Sequence, residues 1–183
     1  MFAPDRYVAA LRFAADRHGT QKVPGTDLPY VVHVTSVAAE VIAALPGSGF
    51  DGDLAVGCAL LHDVLEDTAQ TADDRHALAR RISEQFGPGV VTGVWALTKD
   101  DALPKLDRMA DSLRRIREQP REVWAVKLAD RITNLAPPPS QWSREKREAY
   151  RAEAIAIADA LGDANEHLHA RLRAKVDAYV AYL

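Results

Sequence analysis

Apolar residues recur every three or four positions along almost the whole chain, the spacing of helices that each turn one face to a core. Tyr7, Val8, Leu11, Ala14 and Ala15 form a stripe behind Pro4 that closes near Gly19. A polar loop with Gly and Pro runs from Thr20 to Pro29, and a second helix begins near His33 and continues through Val37, Val41 and Ile42 to Pro46. A turn over Gly47 to Asp53 precedes a third helix, which the pattern carries through His62 and on to Asp67. After a polar loop at Ala69 to Asp74 the spacing predicts helices over Arg75 to Phe86, stopped by Gly87-Pro88, and over Gly89 to Leu97. Further helices are predicted over Lys105 to Glu118, Arg121 to Leu135, Ser143 to Leu161 and Ala164 to Tyr182, with Pro137-Pro138-Pro139 as a hard break. Alternating β-branched runs are lacking, so the expected fold is an all-α helical bundle. No linker or repeat divides residues 1–183, which are read as a single domain.

Composition narrows the class. A chain of 183 residues that is 48% hydrophobic can bury one sizeable core. Its formal charge of -3, with acids and bases interspersed, gives no reason to expect a nucleic-acid or membrane partner. Cys58 is the only cysteine and lies within the apolar run Leu54 to Leu61, so it is expected in the core of a protein from a reducing compartment. Charges at Asp5, Arg6, Arg12, Asp16 and Arg17 break up any signal-peptide core, and no stretch approaches the ~18 apolar residues of a membrane span. A cytoplasmic location is the expectation.

The segment from Ala59 to Thr68 departs from this ordinary pattern. On one helix, His62, Asp63, Glu66 and Asp67 would fall within an arc of roughly 140°, opposite Leu60, Leu61, Val64 and Leu65. Asp63 and Asp67 at i,i+4 repel, and the dipole of a helix C-terminus disfavours anions; a bound cation reverses both penalties. A solvated acidic face is the plainer alternative. An ion held by His62 and Asp63 alone would be weakly bound, which directs attention to His33, where the Pro29-bearing loop becomes a helix, and to Asp130. Lys127, Asp130 and Asn134 share a face about 60° wide on an otherwise apolar helix. An acid there must be paired, hydrogen-bonded or metal-bound, so an ion pair with Lys127 or Arg131 and a place on a metal are both open to Asp130.

Taken together, Pro29-Tyr30-Val31-Val32-His33, His62-Asp63-Val64-Leu65-Glu66-Asp67-Thr68 and Lys127-Leu128-Ala129-Asp130-Arg131-Ile132-Thr133-Asn134 resemble, in order, the metal centre of the HD phosphohydrolase superfamily, and more closely the hydrolase domain of RelA/SpoT-type enzymes. Leu103-Pro104-Lys105-Leu106, Trp142-Ser143 and Tyr150 extend the similarity to the stand-alone small alarmone hydrolases, so it spans the chain from about Tyr7 to the last helix.

The resemblance implies an HD-domain bundle with one central metal ion, held by His33, His62, Asp63 and Asp130. It also implies hydrolysis of (p)ppGpp, the alarmone of the stringent response, at the 3′ position, releasing pyrophosphate and GDP or GTP, usually with manganese. Two imidazoles and two carboxylates suit a first-row dication better than calcium and leave positions for water and a phosphate oxygen. Glu66 and Asp67 match the family's acidic pair, Glu66 as the base that orients water and Asp67 as its helper. Substrate contacts carried over in the same way are Lys22, Lys99, Asn134, Lys146 and Tyr150, with His18 behind the ligands and His76, His167 and His169 on the surface.

The chain departs from the family's pattern at its first loop. Relatives carry an Arg-Lys pair before a Gly-containing turn, whereas this chain has Lys22 alone, followed by Val23-Pro24-Gly25-Thr26. Val34 stands where many relatives have proline, and Ile132-Thr133 replaces the more usual Leu-His or Leu-Tyr. The altered loop motivates a second reading in which the substrate is another phosphorylated nucleotide, such as NADPH at its 2′-phosphate. A third reading is a nucleotide-binding module that has lost its chemistry; the presence of every ligand and both acids argues against it. The sequence leaves the oligomeric state open.

Overall fold

In a computed structural model that describes residues 2–183, helices α1 (Pro4–His18), α2 (Val31–Ala43), α3 (Gly52–Leu61), α4 (Val64–Asp67), α5 (Ala72–Phe86), α6 (Pro88–Leu97), α7 (Arg108–Arg117), α8 (Arg121–Asn134), α9 (Arg144–Leu161) and α10 (Glu166–Ala178) follow one another. The described residues form no strand; a lone antiparallel bridge joins Lys22 to Pro29 across the first loop. The all-α expectation is met.

The ends of these helices follow from short polar side chains and from Gly and Pro. Asp51 Oδ1 accepts from the backbone N–H groups of Asp53 and Leu54 at the start of α3, and Thr71, Ser143 and Asn165 cap α5, α9 and α10 in the same way. Between α5 and α6 the chain must turn within one residue; Gly87 does so at φ 96°, and Pro88, which needs no N–H partner, opens α6.

α3 and α8 lie at the centre. α3 is apolar all round and packs against α1, α2, α6 and α8, while α8 is buried almost continuously from Val123 to Ile132. The close approach of α6 to both depends on Gly93, where a Cβ would lie 2.7 Å from Cys58 Sγ and 2.9 Å from Val123. Cys58 is fully buried there, and burial pushes its thiol up to about 12, so it is a core residue and no nucleophile.

Several boundaries differ from the sequence reading: α2 runs from Val31 to Ala43, and α5 begins at Ala72, inside the expected loop. The helix expected to run through the acidic cluster ends at Leu61; His62 and Asp63 form a turn before the single turn of α4. Residues 105–107 stay outside α7, and the last predicted helix is α10 flanked by 3₁₀ turns at Gly162–Ala164 and Tyr179–Tyr182. Among the described residues no helix is long and apolar enough to cross a membrane.

Candidate metal centre

Three segments converge beside the ends of α3 and α8. His33 stands in the first turn of α2, His62 and Asp63 occupy the turn after α3, and Asp130 sits near the end of α8. Ligand atoms of His33, His62 and Asp130 all lie within 4.8 Å of one another, and all three residues are buried. The two Nε2 atoms are 3.3 Å apart, and Asp130 Oδ1 lies 3.5 Å from His33 Nε2 and 3.8 Å from His62 Nε2. Two atoms each about 2.1 Å from one ion lie roughly 3.0–3.4 Å apart at ordinary coordination angles, so the imidazole separation fits a shared ligand sphere. His62 Nδ1 is 2.8 Å from the carbonyl of Ala59; donating there leaves Nε2 with its lone pair toward the centre. The donor set therefore fits a divalent metal.

Asp63, the fourth expected ligand, stands beside this triad. Its Oδ2 is 2.9 Å from His62 Nε2 and 3.5 Å from His33 Nε2, and it accepts a 2.6 Å hydrogen bond from the Tyr30 hydroxyl. The electrostatics describe a cation site filled with protons. Burial alone would lower the pKa of His33, but hydrogen bonds and charge from Asp130 and Asp63 overcome it and raise it to about 9. Burial likewise opposes ionisation of Asp63, yet the facing His62 and His33 hold it well below the usual carboxylate range. Asp130 is driven down too, chiefly by the Lys127 ammonium at 3.0 Å, against the effect of its burial. The geometry is compatible with both roles left open for Asp130: it pairs with Lys127 through Oδ2 and faces the imidazoles through Oδ1, which also accepts from Asn134 Nδ2.

Glu66 and Asp67 open onto the same cavity of about 370 Å³ as His62, Asp63 and Asp130. Glu66 is tied at both oxygens to Lys99, accepting from its backbone N–H and from its ammonium, each at 2.9 Å. Asp67 accepts from Gln21 Nε2 at 2.8 Å, and Gln21 Oε1 in turn meets His18 Nδ1 at 2.8 Å. Burial, together with the charges of Asp63 and Glu66, raises the pKa of Asp67. His18 is buried, its ring 4.6 Å from that of Tyr30, in keeping with a place behind the ligands.

A second cavity of about 370 Å³ adjoins the first and shares Pro24, Asn134 and Tyr150 with it; prolines 137 to 139 and Trp142 give it an apolar and aromatic wall. Of the expected substrate contacts, Lys99, Asn134 and Tyr150 line these cavities, whereas Lys22 and Lys146 line neither. The ammonium of Lys22 pairs with Asp27 at 2.6 Å, and that of Lys146 sits 4.3 Å above the Trp142 ring. Residues the sequence reading did not assign are Tyr30, Gln21, Arg131 and Glu153. Arg131 stacks 4.4 Å over Tyr150 and reaches Glu153 at 3.4 Å. The motif Pro-Tyr-x-x-His contained the signal for Tyr30; contacts through the first loop and from α9 have none in local spacing.

A family model described as an HD domain matches residues 10–166. The chain is 29% identical over 91% of its length, and 90% of the relative's, to the guanosine-3′,5′-bis(diphosphate) 3′-pyrophosphohydrolase MESH1 of Drosophila melanogaster. It is 31% identical to the protein of the same name from Xenopus tropicalis, over 89% of this chain and 88% of that one. Its fold matches a solved structure described as a metazoan ortholog of SpoT that hydrolyzes ppGpp, with a TM-score of 0.79 and 26% identity, covering 100% of this chain and 99% of that one.

Proposed function

The chain belongs to the HD-domain family, in its (p)ppGpp-hydrolase group, and on that premise we propose that it is a metal-dependent hydrolase that cleaves (p)ppGpp at the 3′ position to GDP or GTP and pyrophosphate. The observation that carries this reading is the convergence of His33, His62 and Asp130 within 4.8 Å, with Asp63, Glu66 and Asp67 around one cavity. We read residues 1–183 as one hydrolase unit, consistent with a family match over residues 10–166 and a core to which every long helix contributes.

The bound dication, with manganese the proposed occupant, supplies Lewis acidity toward water and a phosphate oxygen. The chain's own residues do the rest. Glu66, its carboxylate fixed by Lys99, orients the attacking water, and Asp67, with its raised proton affinity, helps to take up the water's proton. The water oxygen bonds to the phosphorus attached to the 3′-oxygen, the P–O3′ bond breaks, and the 3′-oxygen leaves with a proton. The nucleoside occupies the aromatic cavity, against Tyr150 and Asn134. Lys22, paired with Asp27, lines neither cavity, so an expected substrate cation is missing from the site, which favours a test of NADPH as a second substrate.

Purified protein with manganese should convert ppGpp to GDP and pyrophosphate, and EDTA or His62→Ala should abolish the reaction. Specificity constants for ppGpp and NADPH rank the substrates. Lack of turnover of ppGpp by a metal-replete preparation would sink the proposal, and tight binding without product would identify an inactive module.

A further inference from the structure

Lys99 forms part of two cavities whose charged linings differ. On the metal side five carboxylates face three cations, so a dication brings that cavity to balance. On the other side, a cavity of about 390 Å³ between α5, α6 and α7 is lined by Arg75, Lys99, Arg115 and Asp100; Lys99 and Arg115 are already paired, with Glu66 and Asp111, which leaves Arg75 as the cation without a close partner. The volume is within the usual range for a small-molecule site.

The cationic groups here differ in what they have left to offer. Arg115 is fully engaged: it donates to the carbonyls of Trp95, Ala96 and Thr98 and to Asp111, covering the C-terminal carbonyls of α6 that would otherwise repel an anion. Asp100 accepts from the N–H of Ala102. Arg75 is the reverse case. Its one ionic neighbour, Asp101, is 3.7 Å away, its guanidinium makes no hydrogen bond to any described residue, and its Nε is buried without a partner. A part-buried guanidinium left with its donors unused fits a ligand that brings its own oxygens. The rings of His76 and Trp95, 5.5 Å apart, form the adjacent wall.

The three cavities run in sequence: aromatic, then metal-binding, then cationic, the first two sharing Asn134 and Tyr150 and the last two sharing Lys99. We infer that the cavity of Arg75, His76 and Lys99 is a binding site for the pyrophosphate leaving the metal centre, with Arg75 as its main anchor and Lys99, held on Glu66, in the wall between the two cavities. This rests on the hydrolytic reading above. It assigns Arg75 and His76 a part in substrate and product binding, with the terminal phosphate as the group recognised.

Direct binding of inorganic pyrophosphate tests the cavity without the metal or the reaction. Calorimetry in EDTA should show binding to the parent protein and to His62→Ala, at least tenfold weaker binding to Arg75→Ala, and partial recovery in Arg75→Lys. Melting temperatures close to the parent's establish that the variants are folded. Turnover adds an independent arm: Arg75→Ala should raise the pyrophosphate concentration needed for product inhibition of ppGpp hydrolysis. Failure of the parent to bind pyrophosphate, or equal binding by Arg75→Ala, overturns the inference. Absence of ppGpp turnover alongside Arg75-dependent pyrophosphate binding would count against the hydrolytic reading and leave the anion site standing.

Discussion

Two segments deliver a carboxylate to the metal centre, and they bear the burden of a buried negative charge in opposite ways. On α8 the backbone is an unbroken helix and the charge of Asp130 is matched by the ammonium of Lys127 one turn away, at 3.0 Å. At the α3–α4 junction the helix breaks, and Asp63 is matched by protons: those of the facing imidazoles and of the Tyr30 hydroxyl. The α8 half therefore carries its countercharge within its own helix. The junction half holds its own only while the imidazoles are protonated or an ion has replaced their protons.

The largest expected effect comes from removing the Lys127 ammonium. Lys127→Met leaves Asp130 with only the imidazoles and the Asn134 amide as partners, and breaking a buried pair typically costs about 3–5 kcal/mol. The metal-free protein should melt roughly 10 °C lower, and saturating manganese should restore much of the loss because the ion takes over the missing charge. Thermal melts of parent and variant, with EDTA and with manganese, give both numbers; equal losses in the two conditions would mean that Lys127 serves packing alone.

The junction half should respond to pH instead. With His33 raised to about 9, its protonation stabilises the metal-free protein below about pH 6.5, and that contribution disappears as pH climbs through 9. An ion must displace the proton, so apparent metal affinity should rise about tenfold per pH unit over this window and level off above it. Manganese titrations between pH 6.5 and 9.5 read the slope directly, and a flat profile would contradict the proton-filled picture.

This contrast also explains what the sequence disclosed. The α8 half was legible because its logic is periodic: Lys127, Asp130 and Asn134 fall on one face of a regular helix, and their pairing follows from three- and four-residue spacing. The junction half was legible in residue type but not in backbone. Hydrophobic spacing continues through Leu60, Leu61, Val64 and Leu65, all buried, and so predicted one helix, but period cannot register a turn that keeps apolar residues inside while re-aiming His62 and Asp63. Contacts distant in sequence left no local trace. Lys22 is expected near substrate from the resemblance of its loop to the family's basic pair, but its pairing with Asp27 depends on how the loop folds back through the Lys22–Pro29 bridge.

A smaller effect is expected from Tyr30→Phe, which removes the one neutral donor on Asp63 and leaves the ring packed against His18 and His33. Outer partners of metal ligands are typically worth 10–100-fold in metal affinity. The loss should appear as weaker manganese binding, with the turnover of the saturated enzyme reduced less than the affinity. Unchanged affinity would indicate that Asp63 is held by the imidazoles alone.

The smallest effect tests whether the junction is positioned from its far end. α3 runs as one buried rod from its cap at Asp51 to the break at His62, so the cap and the turn stand at its two ends. Asp51→Ala removes the acceptor of two N–H groups and should cost about 1 kcal/mol, or roughly 2–4 °C in melting temperature. Because Leu60, Leu61, Val64 and Leu65 anchor both sides of the break in the core, the ligands should keep their places and manganese affinity should stay within twofold of the parent's. A large loss of affinity at so small a loss of stability would show that the register of α3, and not the packing around the break, aims His62 at the metal.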